Sequence, residues 1–98
     1  MCEFKVIKKN NNSLVTEDIV VLSYDDDNRL ILKDILGSGT ILDSAMIIDV
    51  NTLNQTCTII EHSLIKDFIT LIKKSLTGEL NDAEITEFQA KIDNLKQS

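Results

Sequence analysis

Cys2 is the residue whose type and place could do chemistry first. Removal of an initiator methionine ahead of so small a side chain would leave an α-amine and a thiol on one residue, and the two together close a chelate ring on a metal ion. Their reference pKa values, about 7.7–8.0 and about 8.5, let both release protons to a metal near neutral pH. With Met1 retained, the backbone amide of Cys2 takes the amine's place, and its deprotonation needs a strongly acidic metal ion. A nitrogen and a sulfur in one plane suit square-planar Ni(II) or Cu(II) better than tetrahedral zinc. One chain offers half of such a set. A symmetric homodimer that joins two amino ends would complete it, with the metal on the two-fold axis. The competing reading is a cysteine without a role near the start of a strand.

The remaining candidates read as structure. Cys57 alternates with Thr56 and Thr58 and shares a strand face with Ile59, the setting of a small buried hydrophobe. His62 is the only histidine, placed where the last strand gives way to a helix, and no nucleophile and base pair surrounds it; it reads as a polar cap. Gly37-Ser38-Gly39 lacks the Lys-Ser/Thr of a phosphate loop and reads as a hairpin turn whose glycines take positive φ. Asp25-Asp26-Asp27 lacks the glycine and distal glutamate of a calcium loop, which leaves a solvated turn. No catalytic constellation is expected.

These residues need a scaffold, and 98 residues rich in Ile, Leu and Val, with no Trp, are enough for one ordinary core. The net charge is −6. Ten acids and five bases fall in residues 1–62, against six and five in 63–98, so the first part carries most of the acidity. Such a surface repels phosphate backbones, and Lys5, Lys8 and Lys9 are a small basic group for nucleic acid. They read as the wet end of a strand. Two cysteines outside any C-x-x-C pair point to reduced thiols in a cytoplasmic protein. The longest apolar stretch, Leu64 to Leu76, is broken by four charges, so no export signal or membrane span is expected.

Residues 3–62 read as a meander of five short strands: Glu3 to Lys9, Val15 to Tyr24, Arg29 to Leu36, Thr40 to Val50 and Gln55 to Glu61. Asn, Asp and Gly clusters separate them. Asp43-Ser44-Ala45 interrupts the fourth run and predicts a bulge or bend that helps a small sheet curl, so a five-stranded curled sheet or barrel is expected. The pattern changes at Ser63, taken as an N-cap. Leu64, Phe68, Ile72 and Leu76 recur at helical spacing, with Gly78 just past the end. Asn81 and Glu84 form a capping box, and Ile85, Phe88, Ile92 and Leu95 trace a second apolar stripe to the end of the chain. The chain is thus a mainly β domain over 1–62 followed by a helical hairpin over 63–98. That hairpin's stripes predict packing on the β-part or on a second subunit.

Met1-Cys2-Glu3 running into Phe4-Lys5-Val6-Ile7, then Thr16-Glu17-Asp18-Ile19-Val20, Leu30-Ile31-Leu32-Lys33-Asp34-Ile35-Leu36-Gly37 and Cys57-Thr58-Ile59-Ile60-Glu61, resembles the CooT-type nickel-binding proteins. The resemblance spans residues 1–62, and 63–98 go beyond it. It implies a small β-rich homodimer that binds Ni(II) through Cys2 and serves as a metallochaperone for a nickel-dependent client enzyme, carbon monoxide dehydrogenase in the founding type. Related sequences carry the label of predicted RNA-binding proteins. An RNA-binding or protein-interaction module without metal is therefore the alternative.

Overall fold

The computed structural model describes residues 3–97. Seven strands and two helices follow in order: β1 (Phe4–Lys8), β2 (Ser13–Ile19), β3 (Val21–Tyr24), β4 (Leu30–Lys33), β5 (Gly39–Leu42), β6 (Ala45–Asn51), β7 (Thr56–Glu61), α1 (Ser63–Thr77) and α2 (Asp82–Asn94), with a closing 3-10 turn at Leu95–Gln97. The strands form two sheets, one ordered β2-β1-β7-β6 and one ordered β3-β4-β5. This corrects the expectation of five strands in a barrel. Two of the predicted strands each run through a corner and continue in the other sheet. The run 15–24 divides at Val20, whose N–H donates to the Lys33 carbonyl at 2.9 Å, and the run 40–50 divides at Asp43-Ser44, where a bend was expected.

Nor is the order a meander. β1 lies between β2 and β7 and pairs with β7 in parallel, Val6 opposite Cys57, so the first and last strands of the β-part are neighbours. The two sheets do not join into a barrel, and between β3 and β6 one side chain spans the gap instead of a ladder. The Tyr24 hydroxyl donates to the Ala45 carbonyl at 3.1 Å and accepts from the Ile47 N–H at 3.3 Å, satisfying edge groups of β6 that a strand would otherwise pair. Between the sheets sit Val6, Ile19, Leu30, Leu32, Cys57 and Ile59, all essentially without solvent contact. They alternate with less buried positions along their strands, as a two-layer β-core requires.

The turns follow from Asp and Asn chemistry. In the β3–β4 turn Asp25 Oδ1 accepts from the N–H groups of Asp27 and Arg29, and Asn28 takes a left-handed φ of 65°. The β4–β5 turn repeats the device: Asp34 Oδ1 accepts from Leu36 and Ser38, and Gly37 has φ 85°. Of the two glycines assigned positive φ from the sequence, Gly37 alone has it. Gly39 is needed for a different reason, since a Cβ there would overlap the Leu32 carbonyl oxygen of β4.

The helix start also differs from expectation. His62, not Ser63, is the N-cap of α1, its Nδ1 accepting from the Leu64 N–H at 3.1 Å. Ser44, from the corner between sheets, adds a second acceptor: its Oγ receives the Lys66 N–H at 2.9 Å while donating to the His62 carbonyl. The α2 capping box of Asn81 and Glu84 forms as expected, and Gly78 ends α1 at φ 76°. α2 ends at Asn94, and the described chain goes on as the 3-10 turn Leu95–Gln97. α1 leans on β6, and α2 packs on α1 through Phe68 and Phe88, whose rings lie 5.9 Å apart, and through the ion pairs Asp67–Lys91 and Glu84–Lys74.

Candidate metal centre

Cys2, the ligand expected from the sequence, lies outside the described residues. The described chain begins with exposed Glu3 and then Phe4, the head of β1. Phe4 is opposite Ile19 at the end of β2, and the Lys5 N–H donates to the Gln55 carbonyl at 2.9 Å just before β7. The amino end of β1 is thus held between a bulged stretch of β2 and the turn that leads into β7. Each carries a non-glycine residue in the left-handed region, Asp18 at φ 62° and Gln55 at φ 55°. Asp18 belongs to a bulge in which Glu17 and Asp18 face the single residue Lys5, and the bulge bends β2 toward its corner at Val20.

The electrostatics of this end are negative. Glu3, Glu17 and Asp18 are all exposed here against the one exposed base Lys5, and such a rim attracts a divalent cation without supplying a soft ligand. Among the described residues no three His, Cys, Asp or Glu side chains stand together as a metal cage. A nitrogen and thiolate set would therefore draw on Cys2 and its own backbone.

The second thiol is in the wrong state and place to join it. Cys57 is fully buried on β7 between Val6 of β1 and Val50 of β6. Burial pushes its pKa up, and the Asp49 carboxylate adds to the shift, so the neutral thiol is held in the core as expected. His62 is occupied as the helix cap. The Asp25 carboxylate is occupied too: the Arg29 backbone N–H first, and then the Arg29 guanidinium at 2.8 Å, hold its pKa below the usual range. Lys8 pairs with Glu61 at 3.1 Å, which leaves Lys5 and Lys9 as the exposed members of the basic trio.

Sequence reasoning passed over the ties made by four residues that hold the frame. Ser44 joins the sheet corner to α1, Tyr24 bridges the sheets, and Asn28, only 6% exposed, donates from Nδ2 to Thr70 Oγ1 of α1 at 2.7 Å. Asn28 follows three aspartates and has the left-handed turn role of Asn, which was a signal for the turn but not for the tie to a residue far along the chain. Asn10 works in the same way, its amide exchanging hydrogen bonds of 2.9 and 3.0 Å with the Glu61 backbone.

Residues 1–60 match the family model described as CO dehydrogenase accessory protein CooT. The chain belongs to the CooT family. The match takes in the Met1-Cys2-Glu3 start, both sheets and nearly all of β7, and ends before α1, so the CooT part and the β-part coincide and the helical hairpin is an addition to it. No curated protein matches the chain. As a CooT family member the chain falls among accessory proteins of CO dehydrogenase. Among the described residues no helix is long and apolar enough to cross a membrane.

Proposed function

We propose that the chain is a nickel-binding accessory protein in which Cys2, with an adjacent backbone nitrogen, holds Ni(II) as cargo for a nickel-dependent enzyme, two copies supplying the four ligands. The family match over residues 1–60, which includes Cys2, carries this reading, since CO dehydrogenase is itself a nickel enzyme. Its chemistry supports it as well. Thiolate sulfur with amine or amide nitrogen suits Ni(II), and the β1 end, braced by β2 and β7, gives such ligands a rigid base with an acidic rim. The residues at that base are hydrogen-bonded backbone and exposed carboxylate, which leaves the approach open to a cation and to a client.

The test is calorimetric titration of the full chain with Ni(II), with ultraviolet absorption to detect sulfur-to-nickel charge transfer. One nickel per two chains, with the absorption band lost in Cys2→Ala and retained in Cys57→Ser, is the expected outcome. Equal affinity in wild type and Cys2→Ala would sink the proposal. Intact mass in the same preparation decides between amine and amide by showing whether Met1 is present.

A further inference from the structure

α1 is capped by a side chain that can lose its power to cap. The N-cap is His62, the only histidine of the chain, with Nδ1 accepting from the Leu64 N–H at 3.1 Å. Only an unprotonated ring nitrogen accepts, whereas the common caps Ser, Thr and Asn accept at any pH. The same residue is the joint between the CooT part and the hairpin. Its N–H donates to the Ser44 carbonyl at 3.1 Å, and its own carbonyl accepts from Ser44 Oγ at 2.5 Å and from the Ile65 N–H at 3.1 Å. Ser44 Oγ in turn accepts from the Lys66 N–H at 2.9 Å. The N–H groups of Leu64, Ile65 and Lys66 at the start of α1 are thus all held by His62 or by the serine bonded to it.

We propose that His62 is an acid-sensitive latch, whose neutral ring fixes the start of α1 to the β-part and whose protonation releases it. Histidine is the side chain that ordinarily changes charge between pH 5 and 8. Protonation acts here in two ways of the same sign. Nδ1 becomes a donor facing the Leu64 N–H, and a positive charge is placed at the helix end where the backbone dipoles disfavour one. The surroundings do little to offset that charge. α1 has no acidic residue in its first turn, and the carboxylates of the neighbouring elements are already paired: Glu61 of β7 with Lys8 of β1 at 3.1 Å, Asp43 of the corner with Lys66 at 3.0 Å, and Asp67 of α1 with Lys91 of α2 at 2.9 Å. Asp49 of β6 acts on Cys57, Lys9 after β1 is exposed, and Asp93 and Lys96 at the far end of the hairpin are exposed as well. The sign follows from the cap itself: its contribution is complete when the ring is neutral and is lost as pH falls through the ring's titration. β7 runs parallel to β1, so His62, past the end of β7, stands at the opposite end of the sheet from Phe4. The latch therefore does not depend on nickel at the amino end.

Hydrogen exchange of the metal-free full chain, followed by NMR at pH 7.5 and pH 5.2 with each rate divided by its unstructured value at the same pH, tests the latch. Protection of the Leu64, Ile65 and Lys66 amides should be about tenfold lower at pH 5.2, and that of Val6 and Ile59 should not change. The midpoint of the fall should coincide with the midpoint of the imidazole proton shift of His62. His62→Asn, which caps without titrating, should show equal protection at both pH values, and His62→Ser serves in its place if circular dichroism shows that the asparagine variant misfolds. Unchanged protection in the parent chain, a fall of the same size in the variant, a midpoint away from that of the ring, or a fall shared by the strands would each overturn the proposal.

Discussion

A thiol reacts as its anion, and the core holds Cys57 as the neutral form by burial and by the nearby Asp49 carboxylate. In Cys2→Ala the folded chain should therefore give no fast reaction with an aromatic disulfide reagent at pH 8, and one thiol per chain should appear on unfolding in urea. Prompt reaction of the native variant would show that β7 opens readily. Asp25 makes the opposite case, a charged group kept charged. The Arg29 N–H and guanidinium lower its pKa, so its contribution to stability is complete above the unfolded carboxylate value of about 3.9 and is lost as pH falls through the lower folded value. Glu84, lowered chiefly by Lys74, acts in the same direction. Urea unfolding of Asp25→Asn should lie below wild type at pH 6 and converge on it toward pH 2. A constant gap across that range would place the effect in packing and not in charge.

Elements were legible where their signals are local. The capping box at Asn81, the glycine after α1, the Asp and Asn turns and the alternation that buries Cys57 all act within a few residues, and all are found in the structure. The corners at Val20 and at Asp43-Ser44 were harder, because a strand that changes sheets keeps its β-branched composition throughout. Pairing of β1 with β7 was beyond reach: no turn joins them, and parallel neighbours carry no local mark. The same holds for the bond from Asn28 to Thr70, which ties a β-turn to α1. Asn28→Gly keeps the left-handed backbone and removes only the amide, and Thr70→Val removes its partner. Each alone should destabilise by about 1–2 kcal/mol, and the double variant by about 1 kcal/mol less than their sum, the value of one partly buried hydrogen bond. Strict additivity in urea unfolding would mean that the bond does not couple turn to helix.

At the scale of the whole molecule, stability is divided unevenly. Among the described residues the buried ones all belong to the sheets or to Asn28 of a β-turn, while the helices are held by one ring contact, by α1 resting on β6, by the Asn28–Thr70 and Ser44–Lys66 hydrogen bonds and by exposed ion pairs that add little. The CooT part thus has its own core, and the hairpin borrows stability from what it touches. Amide exchange should show this division. At low micromolar concentration, amides of β1, β4 and β7 should exchange only through global unfolding, and those of α2 through local opening at a much lower free energy. Exchange measured by mass spectrometry decides the matter: helices as protected as β7 would mean that the hairpin is welded to the sheets.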